Sequence, residues 1–297
     1  MPGVVRRACI DIGSNTTRLL VADVSPAGLE KLEERRAFTH VRRGIGPDGR
    51  LAATKIAELV EVVTAQLAVA RAVGSEAVVT VATAAIRRAA NADELAAALH
   101  QGCGLRLRVL SEKEEARLAF VGAARALAEA SEGEVPVSLG VADVGGGSSE
   151  LVVGAPPGEI TWIVSLPLGS GDLADTHLRA DPPTAHELDA ACRYVRETMA
   201  QVSVPRPARA VAVGGSAASL HRLAGAHLDR AEFAAALELL RAQPAAVVAA
   251  RFDLDVDRVR LLPAGLLILQ AVQAAFGVPL ELVGGGLREG VVLELGD

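Results

Sequence analysis

The chain has 297 residues, 51% hydrophobic and 22% charged, which suits a globular protein of one large domain or two ordinary ones. Aromatic residues make up only 2%, so the core is expected to be built from Ala, Val and Leu, and an exposed ring surface for stacking single-stranded nucleic acid is not expected. A net charge of −6 gives no molecule-wide positive field, so an anionic ligand has to be held by a local site.

The first forty residues read as strands. Ala8–Ile12, Arg18–Val24 and Leu32–Thr39 are β-prone runs separated by the turn formers Gly13-Ser14-Asn15 and Pro26-Ala27-Gly28. From Thr54 the period changes: Ile56, Leu59, Val60, Val63 and Leu67 fall at helical spacing, ending near Gly74. A strand at Ala77–Ala82, a helix at Asn91–Gln101, a strand at Leu105–Leu110 and a long helix from Ser111 complete the order βββαβαβα. After the polar stretch Glu129–Glu134 the pattern restarts, with strands at Val137–Val144, Glu150–Val153 and Ile160–Leu166. A helix at Thr184–Val202 follows, opened by a capping box of Thr184 and Glu187. Then come a strand at Arg209–Val213, helices through Gly277 that enlarge this half by the insert Ala217–Gly277, a strand at Leu280–Val283 and a last helix after Gly286.

The second half also echoes the first in residues. Asp11-Ile12-Gly13-Ser14-Asn15-Thr16-Thr17-Arg18-Leu19 is matched by Asp143-Val144-Gly145-Gly146-Gly147-Ser148-Ser149-Glu150-Leu151. In each, an apolar strand delivers an aspartate, a glycine turn follows and a second strand leaves. Two like domains flanking a cleft is the economical reading. Glycine lets backbone N–H groups approach a phosphate chain closely, and Ser14, Asn15, Thr16, Ser148 and Ser149 add side-chain donors. Asp11 and Asp143, at strand ends, are placed to hold Mg2+. A single such loop is as well explained by a hairpin turn; two matched loops in repeated units are not.

In Ser111-Glu112-Lys113-Glu114-Glu115-Ala116-Arg117-Leu118, Ser111 and Glu114 form a capping box, which leaves Glu115 without that duty. Spacing alone favours a solvated first-turn glutamate supported by the helix dipole over a general base. Arg87, after the strand Ala77–Ala82, is a candidate phosphate ligand, while Asn91 with Glu94 reads as a helix cap. Arg35, Arg36, His40, Arg42 and Arg43 read mainly as a solvated edge, with a basic lip for a polyanion as the alternative. The turns Gly214-Gly215 and Gly284-Gly285-Gly286 precede helices and serve either an anion or close packing. The six histidines show no metal-ligand spacing, and no Gly-x-Ser-x-Gly or Cys-His pairing suggests a covalent nucleophile. Cys9, Cys103 and Cys192 form no C-x-x-C pair, which fits a reducing cytoplasm. Asp11 interrupts the apolar run behind Arg6 and Arg7, so neither a signal peptide nor a bilayer-spanning segment is expected.

In this order the motifs resemble the exopolyphosphatase and guanosine pentaphosphate phosphohydrolase family (Ppx/GppA), a branch of the acetate kinase, sugar kinase, chaperone ATPase and actin superfamily. The resemblance runs through Ala8–Asn15, Ala82–Asn91, Ser111–Leu118, Asp143–Glu150, Leu168-Gly169 to Pro183, Gly214-Gly215 and Gly286–Gly290. Ser111–Leu118 is its most specific part, because the superfamily's kinases and chaperones lack it. It implies two ribonuclease H-like (actin-like ATPase) domains, residues 1–124 and 125–297, each a mixed sheet with flanking helices around a central cleft, with the last helix packing back on the first domain. It implies a catalytic Glu115; phosphate binding by Ser14, Asn15, Thr16, Arg87, Gly145, Gly146, Gly147, Ser148, Gly214 and Gly215; and metal binding by Asp143, Glu150 and Asp11. The cofactor implied is Mg2+ or Mn2+, the substrate polyphosphate or guanosine pentaphosphate, and the setting a cytoplasmic homodimer with no nucleic acid or membrane partner. A kinase of the same superfamily and a non-hydrolytic nucleotide-binding regulator are the alternatives. Two departures stand out. Gly171-Asp172 replaces an arginine that many members carry, and the sequence ends at Asp297 without the helical domain of long exopolyphosphatases, which weakens the expectation of processivity.

Overall fold

A strand buried on both faces reads as a near-continuous apolar run, and Ala8-Cys9-Ile10 is one. In the computed structural model, which describes residues 3–26, 28–75, 77–131 and 135–295, these three side chains are fully buried in the middle of a five-stranded sheet. Their strand, β1 (Val5–Ile12), pairs antiparallel with β2 (Thr16–Ser25) and parallel with β4 (Ala77–Ala82). β3 (Gly28–Phe38) and β5 (Leu107–Val109) are the edges, giving the order β3-β2-β1-β4-β5. β3 carries Glu30, Lys31, Glu33, Glu34, Arg35 and Arg36, charges that discourage pairing with another chain at an open edge.

Around this sheet lie α1 (Ala53–Ala72), α2 (Ala84–Arg88), α3 (Ala92–Cys103) and the start of α4 (Glu112–Ala130). α1 buries Leu59, Val63, Gln66, Leu67 and Ala70, one stripe at helical spacing. The capping box at α4 forms as read: Ser111 N donates to Glu114 Oε2 at 2.9 Å and Glu114 N to Ser111 Oγ at 3.3 Å. Asn91 does stand at the N-cap of α3 and its Nδ2 donates to Glu94 Oε2 at 2.9 Å, but its side chain makes no bond to the helix N–H groups. Its side chain instead crosses to another segment, accepting from Leu51 N at 2.7 Å and donating to Leu51 O at 3.2 Å. Those buried backbone groups lie outside any sheet and outbid the helix N–H groups for the amide.

The chain divides into two compact units, Met1–Leu118 with Leu287–Asp297, and Ala119–Gly286, so the division falls within α4. The second unit repeats the first topology. β6 (Leu139–Val144) pairs antiparallel with β7 (Ser149–Ala155) and parallel with β9 (Arg209–Val213), and β8 (Glu159–Leu166) lies beyond β7. β10 (His227–Leu228) and β11 (Leu280–Leu282) extend the far side, giving β10-β11-β9-β6-β7-β8. Its helices are α5 (Ser170–His177), α6 (Ala185–Met199), α7 (Gly214–Ala224), α8 (Arg230–Ala242), α9 (Ala245–Phe252) and α10 (Val256–Phe276). The capping box of Thr184 and Glu187 opens α6 as expected.

Four elements escape the sequence reading: the 3-10 turn Val41–Gly44, α2, α5 and β10. Each is short, and α2 and α5 are rich in small residues that give no clear period. The expectation that no segment is long enough to span a bilayer is also corrected, because α10 is long and apolar enough. Its apolarity has a packing cause: Leu262, Ala264, Ile268, Leu269, Val272 and Phe276 are fully buried in the second unit's core. Ala27 of the expected turn Pro26-Ala27-Gly28 and Glu132–Glu134 of the polar stretch lie outside the described residues.

The last helix, α11 (Leu287–Glu294), completes the first unit. Leu287, Val291 and Val292 pack with Cys9, Leu20, Val81, Leu110 and Leu118. Arg7 Nη1 donates to the carbonyls of Val292 and Leu293, both at 3.0 Å, occupying acceptors that a helix end leaves open.

Candidate functional site

The two aspartate–glycine segments form the same structure. In the first unit Ile12 faces Thr17 and Asp11 faces Arg18 across the β1–β2 hairpin; in the second Val144 faces Ser149 and Asp143 faces Glu150. Gly13 N donates to Thr16 O at 3.0 Å, and Gly145 N donates to Ser148 O at 3.0 Å. A Cβ at either glycine would lie 3.1 Å from that same carbonyl, so the tight closure of the turn favours glycine.

Each loop is braced from behind by a different segment. Thr39 N and His40 N donate to Asn15 O at 3.1 and 3.0 Å, and Arg42 N to Ser14 O at 3.3 Å. His40 takes the left-handed conformation there (φ 40°), rare for a residue with a side chain. In the second unit Ser170 N donates to Gly145 O at 2.9 Å, while Gly171 N and Asp172 N both donate to Gly146 O at 3.0 Å. The first N–H groups of α5 are therefore spent on the loop's carbonyls. The segment that holds the expected departure, Gly171-Asp172, thus carries backbone bonds to the loop.

With their carbonyls engaged, the loops keep donors in reserve. Among the described residues no acceptor is found for the N–H groups of Ser14, Asn15 or Gly146, and Asn15 Nδ2 is buried without a partner. Ser14, Thr16 and Ser148 are buried beside them. Unpartnered N–H groups in a tight turn are a ready anion site.

Acidic groups differ between the loops. Burial pushes the Asp11 carboxyl up to about 6 against the pull of Arg288 and Arg18, and its Oδ1 is buried without a hydrogen-bond partner. Asp143 and Glu150 are cross-strand neighbours; Glu150 is 1% exposed, its Oε1 accepting from Ser165 Oγ at 2.9 Å. Gly214, at φ 89°, has no room for a Cβ beside Asp143 Oδ1, and a Cβ at Gly215 would lie 2.7 Å from Arg258 Nη1. The Gly214-Gly215 turn thus has a packing reason, admitting a carboxylate on one side and a guanidinium on the other. Arg258 was missed in the sequence. It is a 5% exposed arginine one helical turn before Leu262 on the largely apolar α10, and a cation at a core-facing register was the available signal.

Glu115 lies one residue beyond the capping glutamate and is only 6% exposed. Arg87 Nη1 donates to its Oε2 at 2.8 Å and to Leu110 O at 2.8 Å. Glu114, by contrast, is held down at about 2 by Ser111 and Arg108, as a surface capping carboxylate should be.

The family model of the Ppx/GppA phosphatase family matches residues 20–297. The chain belongs to that family. Exopolyphosphatase 1 of Mycobacterium leprae is 29% identical over 307 aligned positions, covering 97% of this chain and 89% of the relative. Exopolyphosphatase 2 of Mycobacterium tuberculosis is 37% identical over 209 positions, 66% of this chain and 62% of that one. The crystal structure of the Aquifex aeolicus Ppx/GppA family member is 28% identical, with TM-score 0.81 over 98% of this chain and 97% of its own. The fold is accordingly that of the actin-like ATPases, two α/β units of one topology, and the chain is a hydrolase of the phosphatase kind.

In this Ppx/GppA member the predicted residues fall into three groups. Asp11, Ser14, Asn15 and Thr16 share the first loop, and Arg87 is joined to Glu115 in the same unit. Asp143, Gly145, Gly146, Gly147, Ser148, Glu150, Gly214 and Gly215 come together in the second. Among the described residues no three His, Cys, Asp or Glu side chains form a ready-made metal cluster, so an ion here would draw further ligands from water and substrate.

Proposed function

We propose that the chain releases the terminal phosphate of inorganic polyphosphate, or the 5′-terminal phosphate of guanosine pentaphosphate, by Mg2+-dependent attack of water. The observation that carries this reading is the division of labour between adjacent glutamates. Glu114 caps the helix at the surface, while Glu115 is withdrawn from solvent and held by a guanidinium, with no capping duty of its own. The Mycobacterium relatives named exopolyphosphatases support the same reading.

The loops at Ser14–Thr16 and Gly145–Ser148 bind phosphate oxygens through the open N–H groups of Ser14, Asn15 and Gly146 and through the Asn15 amide. Glu115 takes a proton from water as the water oxygen bonds to the terminal phosphorus. The bond from that phosphorus to the bridging oxygen breaks, and the bridging oxygen leaves with the electron pair on the shortened chain. Asp143 and Glu150 would hold Mg2+, an oxygen-seeking ion that takes one or two carboxylates and completes its shell with water and phosphate. When bound, the ion offsets negative charge on the phosphate oxygens.

Phosphate release from polyphosphate, guanosine pentaphosphate and ATP, side by side with Mg2+, with Mn2+ and with chelator, tests the proposal. Metal-dependent release from one of the first two in excess of ATP is expected. Glu115→Gln should lower kcat by about 10²-fold or more with KM retained. Near-normal turnover in that variant would sink the assignment.

A further inference from the structure

Arg87 lies on a five-residue helix whose backbone is tied to the first loop's strand. Arg87 N donates to Thr83 O at 2.9 Å, and Thr83 N to Ile12 O at 3.3 Å. Ile86 beside it is fully buried, which fixes where the arginine emerges. The side chain is itself only 17% exposed. Its Nη1 spends both protons inside the protein, one on the Leu110 carbonyl and one on Glu115 Oε2, each at 2.8 Å. Leu110 is fully buried, and its own N–H donates to Ala82 O at 2.9 Å, so the carbonyl is a fixed post. Nη2 is buried, finds no hydrogen-bond partner and lies 4.0 Å from Glu112 Oε1.

A guanidinium is planar, so anchoring one nitrogen on Leu110 sets the direction of the bond to Glu115. Holding Oε2 in turn fixes where the other carboxylate oxygen points. A glutamate side chain without such a tie keeps several rotamers, and a general base must meet its proton within hydrogen-bond reach.

We propose that Arg87 is a positioning residue for Glu115: it orients the base from the Leu110 carbonyl and acts on turnover through it, instead of serving chiefly as a grip on phosphate. This rests on the reading of Glu115 as the base.

The test is a double-mutant cycle in polyphosphate hydrolysis, with Arg87→Ala, Arg87→Lys, Glu115→Gln and Arg87→Ala/Glu115→Gln. Arg87→Ala is expected to lower kcat by roughly 10- to 100-fold with KM within about threefold, since orientation matters to the reacting state more than to binding. The double variant should be no slower than Glu115→Gln alone, because residues acting as one unit do not add. Added guanidinium should raise kcat of Arg87→Ala and leave the double variant unmoved. Two results overturn the proposal: a KM increase above about tenfold at unchanged kcat, or full additivity in the double variant. Should Arg87→Ala melt before assay, Arg87→Lys carries the cycle, with thermal unfolding recorded for every variant. Normal turnover in Glu115→Gln would instead strike the reading of the base, a separate outcome.

Discussion

Gly169→Ala measures how far catalysis depends on the brace behind the Gly145–Ser148 loop. Gly169 precedes α5 at φ −112° and ψ 150°, a conformation open to alanine, so backbone strain plays no part. The obstacle is contact. A Cβ there would come closer than 3.0 Å to Gly146 O, Gly146 C and Gly147 N, and all three are backbone, with no side chain to swing aside. Restoring ordinary contact moves the loop or α5 by about 1 Å, a misplacement that costs about 10²-fold in rate when it reaches groups that position substrate. Overpacking of this kind also costs about 1–3 kcal/mol, or roughly 2–5 °C in Tm for a protein of this size. Gly158→Ala, whose Cβ would meet only Val121 Cγ2 at 3.8 Å, is the control. Phosphate release and thermal unfolding are compared for the two variants. Wild-type kcat/KM together with an unchanged Tm in Gly169→Ala would refute the idea that α5 sets the loop.

Asp11→Asn should raise stability in metal-free buffer at neutral pH and above. Burial raises the folded carboxyl to about 6 from an ordinary 3.8, so its ionised form costs the fold on the order of 3 kcal/mol above pH 6. The advantage of Asn shrinks as pH falls through 6 and is gone below about 3.8; urea unfolding at pH 8, 5 and 3.5 checks it, and a pH-independent difference contradicts the assignment. Gly290→Ala places a methyl against the carbonyl of Leu118, 2.7 Å from its carbon, and should cost about 1–3 kcal/mol by lifting α11 from α4. Because Leu118 is one turn beyond Glu115, kcat should fall with Tm, and a fall in neither shows that α11 does not seat there.

Much of this was legible because the relevant signals are local. The paired loops, Ala77–Ala82, Arg209–Val213 and the capping boxes at Ser111 and Thr184 depend on neighbours a few residues away, so sequence reports them well. Asn91 shows the limit. Its cap signature is local, but its amide is claimed by Leu51, forty residues earlier. Likewise nothing near Arg87 announces that it meets Glu115, 28 residues on, and nothing near Gly169 announces Gly146. α10 misled in the other direction, since its run of apolar residues carries no record of being surrounded by α5, α6, α7, α8 and α9.

The repeat also divides the electrostatic work. At the same hairpin register the first unit pairs Asp11 with Arg18, formally neutral, while the second pairs Asp143 with Glu150, formally −2. A dication gains more from two carboxylate side chains at one cross-strand position than from a carboxylate beside a guanidinium. Mg2+ should therefore be drawn by the second loop, with the first serving phosphate oxygens. On this argument Asp143→Asn and Glu150→Gln each raise the Mg2+ concentration for half-maximal activity by about tenfold or more, since each removes a ligand and a unit charge. Asp11→Asn should move it by less than about threefold. Mn2+ binding followed by paramagnetic resonance, without substrate, gives the same ranking independently of turnover. Equal weakening by Asp11→Asn and Glu150→Gln in both measurements would show the metal shared by both loops and overturn the division.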